Sequence, residues 1–378
     1  QGSGCTDTSA YAFVPVGDCV SGANNTLVVV GGSQVSFNSG EPVGLQQALA
    51  PFIGYEGVTS ISDRYGNLLL YSDGIVLYNG QHQLIADSLP GGYSSAQAAL
   101  LVQRPGSTTR FYLFMTDDQG GQNGGDLSYV EVDITANNGA GGLVGEVATL
   151  LGTSTEKLCA VRHCDGVGIW VVGATCTDDR LSSFLVTPDG VQPDPVVSQT
   201  FLPVGSTLGC LKASPRGTNL ALANYIYQSY SVMLYAFNNA TGVVNVLTPL
   251  AATTTLQQYG VEFSPDGTKL YVTNTDDTYG VTNQIFQWDI SSGLPGIIYS
   301  SKTLVGTSEG RWCLASMQTG PNGRIYVVMN QEPAMAEIRR PNEAGVACTF
   351  VDFAIPLASP TAGFGCSNFV PVADLIGT

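Results

Sequence analysis

Short apolar stretches separated by glycine turns recur along the chain, and none of them shows the apolar spacing of an amphipathic helix. The stretch VEFSPDGTKLYVTN, from Val261 to Asn274, shows the repeating unit: a few apolar residues, a Pro-x-Gly turn, a second apolar run and a closing Asn. Two looser copies begin at Leu211 and Met317. Because glycine accepts positive φ without steric cost, each copy predicts two antiparallel strands joined by a tight turn.

The turn glycine recurs every 40 to 60 residues, which reveals a longer repeat. Further strand pairs are predicted after several of the hairpins, at Ser182–Ser198, Ser231–Thr248 and Gln284–Ser300. Four antiparallel strands per repeat are typical of a β-propeller blade. A single such sheet cannot cover both of its faces, so the blades must stack around an axis. The turn glycines are Gly66, Gly106, Gly166, Gly217, Gly267 and Gly323.

The two ends of the chain predict strands of one further blade. Gly363–Leu375 has the pattern of an inner strand with no room for three more strands after it, and Asn25–Gly40 supplies strands without a preceding Pro-x-Gly hairpin. Pairing the two would close the ring and remove its free edge. We therefore predict an all-β, seven-bladed β-propeller over residues 25–378, with the last blade closed by N- and C-terminal strands. Residues 1–24 form a cysteine-containing extension.

Composition narrows the classes of partner. The chain has 14 basic and 30 acidic side chains, a formal net charge of -16, whereas a nucleic-acid binder would be basic. No apolar run approaches the ~18 residues of a membrane-spanning helix. We therefore expect neither nucleic-acid binding nor membrane insertion. The sequence opens at Gln1 without a signal-like segment, which predicts a mature form or an excised domain if the protein is exported.

The nine cysteines favour disulfides in an oxidising compartment, because CxxC pairs are absent and only two histidines accompany them. Buried free thiols are the alternative. Cys159 and Cys210 precede their turns by the same number of residues, so they occupy equivalent inner-strand positions. Cys5 and Cys19 could close a local loop. We expect at least two bonds among Cys5, Cys19, Cys159, Cys210, Cys313 and Cys366.

A Thr-Asp-Asp sequence follows the second strand in three of the repeats. Loops after the second strand share one face of a propeller, so these carboxylates are expected near the mouth of the central channel. Clustered oxygen ligands suit Ca²⁺ or a polar ligand such as a glycan, and a solvated acidic rim is the alternative. No cofactor is certain. The candidate binding residues are Asp73, Asp117, Asp118, Asp126, Asp178, Asp179, Asp276, Asp277 and Tyr279.

Catalytic motifs are weak, and we name no catalytic residue. GTSEG, from Gly306 to Gly310, matches the nucleophile elbow of hydrolases, but it lies in a loop between blades. Both histidines, His82 and His163, precede it in the chain, whereas the elbow needs a later histidine. Carboxylates brought together at the channel could act as in glycosidases, but the sequence nominates no pair. An enzyme is therefore the less favoured hypothesis.

Several segments, among them VSFNSGEPVGL, TSISDRYGNLLLYSDG, STEKLCAVRHCDGVGIWVV and GFGCSNFV, resemble the propeller domain of large gliding-motility-associated surface proteins of Bacteroidota. The likeness runs from about Val35 to Val370. It implies a propeller that leaves the cell by type IX secretion, stays extracellular or at the cell surface, and has other domains or subunits of a surface protein as partners. Residues 1–24 and the missing sorting domain depart from that pattern.

The predicted function is a binding or structural module of an adhesin or extracellular appendage. Two alternatives stay open. One is a propeller enzyme of lactonase, hydrolase or lyase type, with its site at the channel mouth. The other is a self-assembling filament subunit, in which residues 1–24 reach a neighbouring copy.

Overall fold

The structure is a computed structural model that describes residues 26–29, 33–45, 54–63, 65–118, 125–200, 208–225, 231–250, 257–275, 282–308, 313–358 and 363–369. These residues form an all-β fold. The strands in chain order are β1 (Thr26–Val29), β2 (Ser33–Ser36), β3 (Val43–Gly44), β4 (Thr59–Ser62), β5 (Leu68–Ser72), β6 (Leu77–Asn79), β7 (Leu84–Ala86), β8 (Ala99–Gln103), β9 (Arg110–Thr116), β10 (Gly125–Asp133), β11 (Gly142–Arg162), β12 (Ile169–Thr175), β13 (Arg180–Thr187), β14 (Gly190–Val191), β15 (Val196–Gln199), β16 (Leu211–Ala213), β17 (Asn219–Ala223), β18 (Val232–Asn238), β19 (Val243–Leu250), β20 (Gln257–Phe263), β21 (Lys269–Thr275), β22 (Asn283–Asp289), β23 (Thr303–Ser308), β24 (Leu314–Thr319), β25 (Ile325–Met329), β26 (Ala334–Ile338) and β27 (Phe350–Pro356).

Helical structure among the described residues is limited to short segments. They are α1 (Ala136–Gly139), α2 (Pro295–Ser300) and a 3-10 helix at Gly345–Cys348. None of these helices is long and apolar enough to cross a bilayer.

The strands pair antiparallel with their sequence neighbours in separate sheets. Four-stranded sheets comprise β4–β7, β16–β19, β20–β23 and β24–β27, and β1–β3 form a three-stranded sheet. The strands β8–β15 form one larger sheet because the 21-residue strand β11 pairs with β10 through its first half and with β12 through its second half. This larger sheet therefore contains two consecutive four-stranded units that share one long strand.

The turn glycines that the sequence analysis identified all adopt the positive φ that a tight turn requires, between 64° and 85°. One predicted strand is wrong. Residues 295–300 form the helix α2, and the fourth strand of that sheet starts only at Thr303. Pro295 explains the difference, since proline lacks a backbone N–H and its fixed φ suits the first turn of a helix.

The first strands of successive sheets are connected by hydrogen bonds near their starts, and the circuit passes through the C-terminal segment Gly363–Phe369. The backbone bonds run from Gly57 N–H to Ser95 O, from Cys210 N–H to Tyr259 O, from Ser316 N–H to Phe364 O and from Asn368 N–H to Val58 O. The Gln97 carboxamide oxygen adds two more, from the N–H groups of Leu158 and Leu211.

The predicted strand pairing of the two chain ends is only partly represented among the described residues. Gly363–Phe369 makes a parallel bridge between Ser367 and Val58, and among the described residues no ladder joins this segment to β1. The Ser60 hydroxyl links the two ends, because it lies 2.9 Å from Thr26 O and 2.8 Å from Ser367 Oγ.

The predicted disulfides among Cys159, Cys210 and Cys366 are wrong, because these three residues are buried free thiols. The fourth candidate of this group, Cys313, is also buried. Equivalent positions in successive sheets direct their side chains into different inter-sheet cores. Cys159 packs in the cluster of Leu211, whereas Cys210 packs in the cluster of Cys366. Cys164, which was not a candidate, is disulfide-bonded. The predicted pair Cys5 and Cys19 lies outside the described residues.

Candidate functional site

Three of the first strands carry a bulge near their start, where the ladder to the second strand shifts register. The shifts fall between Ser154 and Leu158 in β11, between Gln258 and Val261 in β20, and between Leu314 and Met317 in β24. Bulges re-aim side chains and are common beside functional sites. We use the name channel mouth for the residues at or just before the starts of the first strands, with the loops beside them. Its polar members are Glu56, Ser94, Asp117, Asp118, Glu156, Lys157 and Tyr259.

Glu56 is the carboxylate on which different sheets converge. The hydroxyl of Tyr259 donates to its Oε2 at 2.5 Å, and the hydroxyl of Ser94 donates to its Oε1 at 2.6 Å. Only 6% of Glu56 is exposed. Burial raises the pKa of this carboxyl, the charge of Asp118 raises it further, and the two hydrogen bonds oppose the change.

Glu156 and Lys157 are buried neighbours within the bulge of β11, exposed by 2% and 0%. Glu156 Oε2 accepts the N–H of Ala96 at 2.9 Å, and Lys157 Nζ donates to the carbonyl of Leu208 at 2.9 Å. Burial raises the pKa of Glu156 to about 8, and the charge of Glu56 adds to the rise. Burial lowers the pKa of Lys157 to about 7. The two residues are neighbours in the chain, burial moves the pKa of each toward neutral pH, and the charge of each acts on the pKa of the other.

Two buried amide side chains at this end of the ring retain polar atoms without a hydrogen-bond partner. Both side-chain atoms of Asn224 are unpaired although the residue is 0% exposed. Asn368 donates from Nδ2 to the carbonyl of Leu158, 210 residues away in the chain, but its Oδ1 is unpaired. Unpaired buried polar atoms are costly, so these groups indicate a place for a polar ligand or water.

Five aromatic rings run in contact from the surface to Glu56, and we call them the aromatic row. The exposed ring of Tyr93 stacks on Tyr55 with centroids 6.3 Å apart, and Tyr55 meets Phe364 edge-on at 5.8 Å. Phe364 lies 5.2 Å from Tyr259, which in turn contacts Tyr225 at 5.8 Å. Tyr259 is the member that binds Glu56. The row therefore connects solvent with the buried acid.

Two of the predicted acidic residues lie at the channel mouth. Asp118 Oδ2 accepts the N–H of Ser94 at 2.6 Å, and the charge of Asp118 acts on both Glu56 and Glu156. Asp117 accepts the N–H of Asp118 at 2.7 Å, and burial raises the pKa of its carboxyl. Asp126 is exposed beside them, and its carbonyl accepts the N–H of Asp117.

The remaining candidates are held by local partners. Asp73 is fully buried, and its carboxylate accepts backbone N–H groups of Gly54, Ile75 and Val76, so it fixes the loop after β5.

The pair Asp178 and Asp179 follows β12. Asp178 forms an ion pair with Arg180 at 3.1 Å, and Asp179 adopts positive φ and accepts the N–H of Thr200 at its carbonyl. The candidates Asp276, Asp277 and Tyr279 lie outside the described residues.

The predicted Ca²⁺ site is not seen in the part of the chain that the structure describes, where no group of three or more His, Cys, Asp or Glu side chains could hold a metal ion. Sequence reasoning also missed the acid–base residues Glu56, Glu156 and Lys157. One signal was available. Only 12% of the chain is charged, and Glu156 and Lys157 stand close to the predicted inner-strand position of Cys159, where Glu and Lys are almost never fully buried unless they are paired.

Comparison with known proteins supports the fold at low sequence identity. No family model matches the chain, and no curated protein matches it either. Among solved structures, a candidate 6-phosphogluconolactonase of Bacteroides fragilis is similar at a TM-score of 0.58 and 16% identity, over 91% of this chain and 98% of that one. A second candidate 6-phosphogluconolactonase, from Bacteroides uniformis, has a TM-score of 0.57 and 15% identity over 89% and 97%.

A third similar structure is the periplasmic gluconolactonase of Pseudomonas aeruginosa, with a TM-score of 0.54 and 15% identity over 91% of this chain and 97% of that chain. The likeness shows a propeller-type fold. It also contradicts the prediction of an adhesin or appendage module, because these neighbours are described as lactonases.

Proposed function

We propose that this protein is a propeller enzyme that hydrolyses lactones at the channel mouth. The observation that carries the proposal is the pair Glu156 and Lys157, which burial brings to a pKa of about 8 and about 7. Groups whose pKa lies near the working pH transfer protons most efficiently, and strongly perturbed groups cluster at functional sites. The similarity of the fold to lactonase structures agrees with this chemistry.

The reaction needs two proton transfers. Water adds to the lactone carbonyl carbon and loses one proton, and the ring C–O bond breaks with one proton delivered to the departing alkoxide. In its neutral form the Lys157 amine accepts the first proton, and in its acid form the Glu156 carboxyl delivers the second. A proton passing from Lys157 to Glu156 restores the starting state. The product is the open-chain hydroxy acid.

We also propose that the ring has seven blades, with Gly363–Phe369 as the inner strand of the blade that contains β1–β3. The hydrogen bonds from Ser316 to Phe364 and from Asn368 to Val58 support this closure. The described contacts of β27 with β3 and of β1 with β4 support it as well. A chain lacking residues 363–378 should then aggregate through exposed strand edges, and a soluble truncation that melts cooperatively would contradict the closure.

The activity is tested by measuring acid release from D-glucono-1,5-lactone and from its 6-phosphate, after subtraction of the spontaneous rate. We expect Glu156→Gln and Lys157→Met each to lower kcat/KM by on the order of 10²-fold, the usual contribution of a general acid or base. The pH profile of Glu156→Gln should also lose one limb.

Glu262→Gln is the matched control. Glu262 is a buried carboxyl near the end of β20, next to the Pro-x-Gly turn, and burial also raises its pKa. Its ion-pair partner is Lys212, at 3.7 Å. Its replacement should leave kcat/KM close to that of the parent. No release above the spontaneous rate for either lactone would contradict the proposed function, as would equal losses in the control and in the two mouth variants.

The extracellular location, the partners and the resemblance to gliding-motility surface proteins stay predictions, as does the boundary of the extension over residues 1–24.

A further inference from the structure

We infer that the channel mouth takes an uncharged sugar lactone, seated against the aromatic row, rather than a phosphorylated one. This inference rests on the proposed function and specifies its substrate class. It is carried by the aromatic row, by unpaired amide groups and by the charge of the mouth, which are independent observations.

The aromatic row offers a surface that suits a sugar ring. Sugar rings present C–H groups on their faces, and such faces pack against aromatic side chains, which supply large apolar area with a polar hydroxyl at the edge. Tyr93 is 56% exposed, whereas Tyr259 at the inner end is 2% exposed. Tyr55 and Phe364 between them are half-buried. The row therefore leads from the exposed ring of Tyr93 to Tyr259, whose hydroxyl binds the carboxyl of Glu56.

The polar groups nearby are of the kind that binds the hydroxyl groups of a sugar. An amide both donates and accepts hydrogen bonds, and a carboxylate accepts them. Asn224 is unpaired at both side-chain atoms. It lies beside the backbone that holds Lys157, because the residue after it, Tyr225, donates its N–H to the same Leu208 carbonyl that accepts from Lys157. Asn368 adds an unpaired acceptor. Ligand sites typically combine an apolar lining with a few such groups.

The charge of the mouth disfavours a phosphate. The charge of Asp118 helps to raise the pKa of Glu56, Glu156 and Asp117, and the charge of Glu56 also helps to raise the pKa of Glu156. Lys157 is the cation among these described residues, and burial favours its neutral form. A phosphate group would add negative charge to this set, whereas the hydroxyl at the same position of an uncharged lactone donates a hydrogen bond to it.

The test compares kcat/KM for D-glucono-1,5-lactone and for its 6-phosphate. We expect a preference of at least about tenfold for the uncharged lactone. Asp118→Asn should narrow this preference, because it removes one of the repelling charges.

The aromatic row is tested by Tyr93→Ala, which should raise KM for the uncharged lactone several-fold while kcat changes little. Such a split is expected when a binding contact is equal in the ground state and the transition state. Tyr299→Ala is the matched control, since Tyr299 is 52% exposed on α2. It should leave both parameters unchanged.

A preference for the phosphorylated lactone would overturn the inference and leave lactone hydrolysis standing, and so would equal KM values for Tyr93→Ala and Tyr299→Ala. If neither lactone is hydrolysed, the proposed function fails, and calorimetric titration with the uncharged D-glucono-1,5-lactam decides the inference separately. Binding that Tyr93→Ala weakens and Tyr299→Ala does not would support it, and an absence of binding would overturn it.

Discussion

Replacing Glu156 by Gln should change how the stability of the protein depends on pH. Burial holds the folded-state pKa of this carboxyl at about 8, above its ordinary value of 4.5. Between those values the folded protein holds a proton that the unfolded chain has released. The contribution of Glu156 to stability is therefore complete below the ordinary pKa and is lost as the pH rises toward 8. Glutamine does not titrate, so the variant lacks this dependence.

The magnitude follows from the slope of the linkage relation. One proton bound by the folded state alone costs about 1.36 kcal/mol of unfolding free energy per pH unit. From pH 5.5 to pH 7.5, inside the window, the parent should lose about 2.7 kcal/mol relative to Glu156→Gln. An unfolding entropy of about 2.1 cal/mol/K per residue, or roughly 0.8 kcal/mol/K for a chain of this length, converts this loss to a melting-temperature difference of about 3 °C.

The assay is thermal or urea unfolding of the parent and the variant at both pH values in one buffer series. Glu343→Gln, at an exposed position, is the control, and its difference from the parent should be the same at both pH values. The stability difference between parent and variant is measured at each pH, and the two differences are then compared. The pH effects of other groups, such as Glu56, are present in both proteins and therefore cancel to first order. A difference between parent and Glu156→Gln that does not change with pH would refute the assignment of a raised pKa.

Three further predictions concern packing, thiols and ion pairs. Gly57→Ala should lower the melting temperature sharply, because a Cβ there would lie 1.9 Å from the backbone nitrogen of Ala98. The control Gly296→Ala, with open space around it in α2, should be neutral or slightly stabilising. Equal melting temperatures for the two variants would contradict the close packing around Gly57. Burial raises the pKa of Cys159, Cys210 and Cys366 to about 12, 12 and 11. These thiols should resist alkylation in the folded protein and react fully in denaturant. A non-reducing peptide map that finds a disulfide among them would contradict this prediction. Glu337→Ala should destabilise the protein by about 2 kcal/mol, because Glu337 is 1% exposed between Arg324 and Arg339. Glu41→Ala removes the exposed partner of Arg324 and should cost less than about 1 kcal/mol, so similar urea midpoints for the two variants would be inconsistent with this difference in burial.

Part of this structure was determined by the sequence alone, because the signals are local. Gly217 and Gly267 sit where only a tight turn fits, and both adopt positive φ. The apolar runs on either side of each turn have strand length, and they pair as hairpins. Local patterning failed where a local alternative competed, as at Pro295, where a helix start replaced a strand.

The site was decided by the tertiary structure, because its members are distant in the chain. Glu56 and Tyr259 are 203 residues apart, and they meet only when the fold brings their sheets together. Register shifts also interrupt the strand ladders beside the site, so the direction of the side chains there does not follow from a strict strand alternation. Residues at equivalent positions of different repeats also have different partners. Asp178 has the same place in its repeat as Asp117, but Arg180, two residues further on, pairs with it. A repeat pattern fixes the position of each residue within its own sheet, whereas the partners of its side chain depend on which sheet packs beside it.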